Sequence, residues 1–334
     1  MFRKKILITG GAGFIGSHTV DLLLSQGHKV IVIDDLSGGR LTNIAHNLDS
    51  SNFEFYETNI LDVEPDSKIF SEIDCVIHFA GIGDIVPSIN KPIDYYTVNC
   101  LGTAKILEAC RYHKVKRFVY AASSSCYGIA TVPTDENHPI TPQYPYALTK
   151  YLGELTAFHW GNVYGIEINS IRIFNAYGTR SKTSGNYGAV FGVFLKQIIE
   201  NLPLTVVGDG SQSRDFVYVT DVAEAFVLAA FAEKSGEIYN LGSGNPVTIN
   251  EIIKILDAKV EFIPDRPGEP RITWANISKI STELNWKPKI GIEEGVSKLL
   301  DNLDYWSDAP LWTADKIRIA TQEWFDNLNK RSGI

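Results

Sequence analysis

Lys4-Lys5-Ile6-Leu7-Ile8-Thr9-Gly10-Gly11-Ala12-Gly13-Phe14-Ile15-Gly16 decides the fold. A short apolar run, as a buried strand needs, passes directly into a glycine-rich turn. Behind the turn, Val20, Leu22, Leu23 and Leu24 carry a helical pattern to a stop at Gly27. A second strand, Lys29-Val30-Ile31-Val32-Ile33, ends at Asp34. Glycines at 10, 13 and 16 permit the tight turn, let backbone approach a pyrophosphate, and bring helix close to strand. Asp34 stands 18 residues past Gly16, about where a carboxylate takes the adenosine ribose hydroxyls. It would repel a 2′-phosphate, so the pattern predicts a dinucleotide site that prefers NAD to NADP.

The alternation continues outward. Residues 53–56 read as a third strand, 75–79 as a fourth, 93–113 as a long helix, and 117–121 as a fifth strand. Strands separated by helices predict an α/β fold with a parallel sheet wound on both sides, and ligands bind there at the carboxyl ends of the strands. Those ends carry the glycine turn, Asp34, Phe79-Ala80-Gly81 and Ser123-Ser124-Ser125-Cys126-Tyr127-Gly128. A cluster of hydroxyls is thus delivered to the edge where a cofactor would lie.

Pro145-Tyr146-Ala147-Leu148-Thr149-Lys150 opens a further helical run. Positions i and i+4 share a helix face, so the phenol and the ammonium point into one cleft. A cation beside a tyrosine favours the phenolate, and lowering a phenol from near 10 to about 7 needs roughly 4 kcal/mol.

Bulk properties exclude several classes. The 334 residues suffice for one large or two modest domains, with 44% hydrophobic and 21% charged residues. A formal charge of −8 argues against a nucleic-acid surface. Cys75, Cys100, Cys110 and Cys126 lack metal-ligand spacing, so no metal site is expected, and buried thiols fit a reducing compartment. No run approaches a membrane span, and the first apolar run is too short for a signal peptide. A cytoplasmic protein is expected.

With the glycine turn, the Ser123–Gly128 run and Tyr146/Lys150 in place, the chain resembles the extended short-chain dehydrogenases/reductases. More narrowly it resembles the nucleotide-sugar epimerase/dehydratase group, nearest to UDP-glucose and UDP-N-acetylglucosamine 4-epimerases. The likeness covers nearly all of residues 1–300 and continues through Arg172-Ile173-Phe174-Asn175-Ala176-Tyr177-Gly178, Gly208-Asp209-Gly210, Arg214-Asp215-Phe216-Val217-Tyr218-Val219 and Arg266-Pro267-Gly268-Glu269. It implies a Rossmann-type doubly wound sheet over 1–174, with 214–243 returning to it. A smaller C-terminal substrate-binding α/β lobe would hold 175–213 and 244–334, including a helical tail at 301–334.

The resemblance also implies roles. Tyr146 would be the general base, Lys150 would lower its pKa and hold the nicotinamide ribose, and Ser123 would bond the sugar O4. NAD would meet Gly10, Gly13, Phe14, Ile15, Gly16, Asp34, Asp35, Ser37, Asn59, Ile60, Phe79, Ala80, Gly81, Asn99 and Phe174, besides Tyr146 and Lys150. A UDP-sugar would meet Ser88, Ser124, Ser125, Asn175, Arg214, Arg266, Glu269 and Thr273, with the arginines suited to a diphosphate. A homodimer through the helices near 93–113 and 145–162 is the family's habit.

Two comparisons within the group narrow the chemistry. Dehydratases of this kind carry an Asp-Glu pair where Ser124 and Ser125 stand, and the related decarboxylases place a glutamate in the segment. Serine cannot serve as that acid–base pair, so 4-epimerisation is expected, with a 4,6-dehydratase or 4-oxidase acting on another nucleotide sugar as the alternative. Thr273 matches the position that walls off the sugar C2 substituent, where glucose-restricted epimerases carry tyrosine. A small residue there implies room for UDP-GlcNAc and UDP-GalNAc as well as UDP-Glc and UDP-Gal.

The chain also departs from the pattern. Thr58-Asn59 replaces the usual Gly-Asp, which would give the adenine edge an amide. Residues 81–89 lack the lysine of many 4-epimerases and carry Asp84, a charge to which the resemblance gives no role. The loop 180–188 is long and polar. Later helices are expected at 190–200, 221–233, 249–256 and 294–300, with a strand at 204–207. In the tail, one helix bearing Ile317, Ile319, Ala320 and Trp324 is expected, with Trp306, Trp312 and Trp324 packing on the body.

Overall fold

The computed structural model describes residues 3–181 and 190–328. Elements β1 (Lys5–Thr9), α1 (Phe14–Ser25), β2 (Lys29–Asp34), β3 (Phe53–Glu57) and β4 (Cys75–His78) come first. Then follow α2 (Pro92–Tyr95), a π-helical stretch Tyr96–Gly102, α3 (Thr103–Tyr112), β5 (Arg117–Ser123), α4 (Pro145–Tyr164) and β6 (Glu167–Ile173). The remainder comprises β7 (Asn175–Tyr177), α5 (Val190–Ile199), β8 (Leu204–Val207), β9 (Ser213–Arg214), β10 (Phe216–Tyr218), α6 (Val219–Phe231), β11 (Glu237–Leu241) and β12 (Val247–Thr248). It closes with α7 (Ile249–Leu256), β13 (Val260–Ile263), α8 (Ser278–Glu283), α9 (Ile292–Leu300), α10 (Ala314–Ala320) and α11 (Gln322–Leu328).

Seven strands form one parallel sheet in the order β11-β6-β5-β4-β1-β2-β3. Strand order reverses between β1 and β4, and a crevice opens beyond their carboxyl ends there. Because side chains alternate along a strand, the sheet feeds two cores. Ile6, Ile8, Val30, Val32 and Val119 join the core containing Val20 and Leu23 of α1 and Phe226 of α6. Leu7, Ile31, Ile33, Phe118 and Tyr120 join the opposite one, with Ile106 and Leu107 of α3 and Ala157 of α4. A third core gathers Tyr177, Phe191, Leu204, Phe216, Ile252 and Val296 with Trp306, Trp312 and Trp324. The three tail tryptophans therefore pack on the body, as expected.

Three local expectations need correction. The crossovers β2–β3 and β3–β4 run through short 3-10 turns rather than helices; Gly38-Gly39 and Pro65 interrupt any helical run. The helix expected over 93–113 widens into the π stretch at its middle. The tail helix is broken into α10 and α11 at Thr321, and Ile319 faces solvent at 67% exposure. Of the loop 180–188, residues 182–188 lie outside the described residues. No described helix is long and apolar enough to cross a membrane. All four cysteine thiols are free.

Candidate active site

The glycine turn is built by close approach. Gly10 adopts φ +71, and a Cβ at Gly16 would stand 2.2 Å from the Gly10 carbonyl oxygen. Only glycine lets α1 start this near the turn. Gly13 caps α1 with no side-chain bond, and the first turn carries no acidic side chain. Its N–H groups are left for an anion, the arrangement a pyrophosphate needs.

Asp34, at the end of β2, is 7% exposed and does double duty. Its carboxylate accepts from Ala12 N at 2.9 Å and Leu36 N at 2.8 Å, which pins the glycine turn to the strand. A carboxylate has about four lone-pair directions, so capacity remains for ribose hydroxyls. Asp35 accepts from the Ser37 backbone at 3.0 Å and hydroxyl at 2.5 Å, and from the Asn59 amide at 2.9 Å. The Asn59 Oδ1 in turn accepts from Leu61 N, just past Ile60. The amide proposed for the adenine edge is thus already engaged within the protein.

From β4 the chain continues into Phe79-Ala80-Gly81. Phe79 and Ala80 donate backbone N–H groups to Thr9 O, and the Phe79 ring packs on Phe226 at 4.5 Å. The π stretch swings Asn99 toward the same place, a use of the wider helix turn common at functional sites. Asn99 is 1% exposed; it accepts from Ile82 N at 2.8 Å and donates to Ile82 O and the Thr149 hydroxyl, both at 3.2 Å. Ser88, in contrast, is fully buried, its hydroxyl donating to Ile85 O at 2.7 Å.

Ser123 ends β5. Its hydroxyl meets Ser125 Oγ at 2.8 Å and accepts from Ser125 N at 3.3 Å, capping the 3-10 turn Ser124–Tyr127. Tyr146 sits in the first turn of α4, where Pro145 supplies the fixed φ a helix start favours. Burial lifts its phenol above the ordinary range, a hydrogen bond from Ser123 pulls it back, and the Asp84 charge pushes it up again. The direction is opposite to the one expected from Lys150. That lysine is 7% exposed, and its ammonium lies 4.6 Å from the centre of the Tyr120 ring. A Cβ on Gly81 would come within 3.8 Å of it, so it faces the β4 loop. Burial depresses Lys150 to about 8, with Cys100 and Glu154 acting the other way.

Asp84, which the sequence could not place, stands close enough to Tyr146 for its charge to act on the phenol. Tyr95 donates its hydroxyl to Asp84 O at 2.5 Å and sets its ring edge-on to Tyr146 at 6.4 Å. Asp84→Asn removes a charge that opposes the phenolate and should move the acidic limb of the pH–rate profile to lower pH. A limb that stays put would show the carboxylate does not act on the base.

Residues from β7 onward also reach this edge. Asn175, at the start of β7, accepts at Oδ1 from the Thr273 hydroxyl at 2.9 Å; that hydroxyl accepts from Asp215 N at 3.1 Å. Thr273 therefore fixes which way the Asn175 amide points. Thr273, Phe174, Ser124, Tyr127, Pro270 and Ile272 line one small cavity. Arg214 and Arg266 converge on Glu269, at 3.5 and 3.2 Å. Burial lowers the Arg214 pKa, Glu269 raises it and Arg266 lowers it further.

Several supports were not foreseen. Asp215, fully buried, accepts from Ser243 N and Oγ, Gly244 N and Ala275 N, binding two segments behind Arg214. Tyr144, two residues before Tyr146, packs at a tilt against Trp324 at 5.2 Å, and Trp324 donates to Pro267 O at 2.9 Å. Glu154, in the same four-residue register as Tyr146 and Lys150, makes a buried ion pair with Arg172.

A family model for the NAD dependent epimerase/dehydratase family matches residues 6–242. The UDP-glucose 4-epimerase of Mycolicibacterium smegmatis is 33% identical over 307 residues, covering 89% of this chain and 97% of that protein. Among solved structures, the UDP-glucuronic acid 4-epimerase of Bacillus cereus, held with UDP-glucuronic acid and NAD, is 34% identical with a TM-score of 0.84. That likeness covers 91% of this chain and 99% of the other. The UDP-N-acetylglucosamine 4-epimerase of Methanobrevibacter ruminantium M1, in complex with UDP-N-acetylmuramic acid, is 30% identical with a TM-score of 0.84, covering 90% of this chain and all of that one. With the glycine turn, the acid closing β2 and the Ser-Tyr-Lys edge all present, the chain belongs to the NAD-dependent epimerase/dehydratase family, as an enzyme that uses NAD.

Proposed function

We propose that the enzyme inverts C4 of a UDP-hexose, accepting UDP-GlcNAc/UDP-GalNAc as well as UDP-Glc/UDP-Gal. The observation that carries this is the carboxyl-free segment Ser123–Tyr127, whose Ser123 hydroxyl reaches Tyr146. Removing water from C5 and C6 would call for an acid–base pair there, and Ser124 and Ser125 cannot supply one.

The cradle fits NAD: an uncapped α1 start for the pyrophosphate, Asp34 for the ribose, and Lys150 with Asn99 beside the β4 loop. Bound NAD would supply a hydride acceptor and later a hydride donor at C4. Ser123 holds O4 by a hydrogen bond. Tyr146 takes the O4 proton as the alcohol becomes a ketone and returns it once the sugar has presented its other face. Lys150 holds the nicotinamide ribose and keeps a positive charge near the phenolate. Arg214 and Arg266 take the diphosphate, and Asn175 offers its NH2 to the ligand. Because the UDP end stays anchored, the 4-keto sugar turns without leaving.

Incubation of the pure protein with UDP-GlcNAc, UDP-Glc and UDP-glucuronate, followed by NMR, tests the reading. No C4 inversion of UDP-GlcNAc or UDP-Glc would sink it, and a stable 4-keto-6-deoxy product would favour dehydration. Width at C2 is tested by Thr273→Tyr, which should abolish turnover of UDP-GlcNAc and lower that of UDP-Glc only about fivefold, the cost of the lost bond to Asn175. Thr273→Val keeps the width but frees Asn175 Oδ1, so it should lower both sugars alike, by about fivefold. Equal loss of both sugars in Thr273→Tyr would refute the gatekeeper role.

We also propose a homodimer. Ile93, Leu101, Tyr112, Leu155 and Val163 stand exposed along α2–α3 and α4, an apolar surface suited to a second copy. A solution mass near twice 37.1 kDa checks it.

A further inference from the structure

We propose that the turn Leu303–Trp306 is a keystone between the substrate lobe and the glycine turn, and that Tyr305 thereby governs how long NAD stays bound. This segment lies beyond the residues the family model matches.

Ala12, at the middle of the glycine turn, is held from two sides. Its N–H goes to Asp34. Its carbonyl accepts from Arg40 N at 3.0 Å and from the Asn43 amide at 2.9 Å. Both of these holders are gripped by Tyr305. The Arg40 guanidinium lies over the Tyr305 ring at 4.7 Å and donates to Tyr305 O at 3.3 Å. Asn43 is 4% exposed, and with its NH2 committed to Ala12, its Oδ1 accepts from the Tyr305 hydroxyl at 3.2 Å.

The same hydroxyl also reaches Arg180 O at 3.2 Å. One proton shared between two acceptors gives two long bonds, as observed. Trp306 donates to Ser181 O at 2.9 Å, and Lys196 of α5 donates to Ser307 O at 2.6 Å. Arg180 pairs with Asp21 of α1 at 2.8 Å, and His18 of α1 meets Thr179 O at 3.1 Å. The chain leaving β7 is therefore riveted to α1, and Tyr305 ties that rivet to the loop carrying Arg40 and Asn43. Loosening Tyr305 frees the outer grip on Ala12 while Arg214, Arg266, Asn175 and Thr273 keep their contacts.

The inference rests on NAD lying on the glycine turn, and its test separates the two ideas. Wild type, Tyr305→Phe and Tyr305→Ala are loaded with NAD to saturation. NAD release is then timed by rapid filtration after dilution, and UDP affinity is measured by calorimetry. Tyr305→Phe keeps the ring under Arg40 and loses only the shared proton, so release should quicken roughly fivefold, the order of one hydrogen bond. Tyr305→Ala should quicken it further. UDP affinity should stay within about twofold, a split that general loosening of the fold would not give. Unchanged release, or NAD and UDP weakened in parallel, would overturn the keystone role. A wild-type protein that takes up no NAD would instead remove the cofactor placement underneath it.

Discussion

Tyr146→Phe is expected to cut the rate of C4 inversion about a thousandfold, within the range that a positioned acid–base group contributes. The substitution keeps the ring edge-on to Tyr95, so α4 should hold its place. UDP-sugar affinity should remain within about threefold of wild type, because the arginines and Asn175 are untouched. Loss in kcat with an unchanged dissociation constant identifies an interaction made in the transition state. Ser123 cannot take over, because its hydroxyl is a far weaker acid than a phenol and does not ionise near neutral pH. Turnover within tenfold of wild type would mean the proton leaves by another route.

Glu154→Ala is expected to destabilise the protein by about 3–5 kcal/mol, the usual result of stranding one member of a buried ion pair. Two hydrogen bonds join the carboxylate to Arg172, at 3.0 and 2.8 Å, with the side chains 1% and 3% exposed. Arg172 also donates to the Tyr127 hydroxyl at 2.8 Å and lies over its ring at 5.0 Å. Tyr127 passes the network to Asn240 of β11 at 2.8 Å. One network therefore joins the helix of Tyr146, the turn of Ser123 and two strands. In thermal unfolding the melting point should fall by roughly 4–7 °C. Combining Glu154→Leu with Arg172→Met should cost less than the sum of the single changes, since neither charge is then left unpaired. A fall below about 1 kcal/mol in Glu154→Ala would show that water or another group satisfies Arg172.

Much of the sheet was legible because strand and helix periods are local. Unbroken apolar runs in β1, β2 and β5 report two buried faces, and glycine spacing reports the turn after β1. What stayed hidden depends on distance along the chain. Thr273 and Asn175 meet across 98 residues, and Tyr305 and Asn43 across 262; no periodicity encodes such pairs. Glu154 was visible in principle, four residues past Lys150, but its partner is on a strand. The direction of the Tyr146 shift was missed for a related reason. Helical spacing places two side chains on one face, whereas the phenol's burial and the Asp84 charge come from other segments.

The seventh sheet strand has a consequence for biogenesis. β11 pairs with β6 along Glu237–Leu241 and Asn169–Ile173, and all of β7 to α6 intervenes. A nascent chain halted after β6 would expose an unfinished hydrogen-bonding rim until β11 is synthesised. A fragment cut near residue 174 would keep that rim permanently, and bare strand rims recruit other chains. Dissecting the enzyme into a separate nucleotide-binding piece should therefore yield aggregates unless β11 is grafted back.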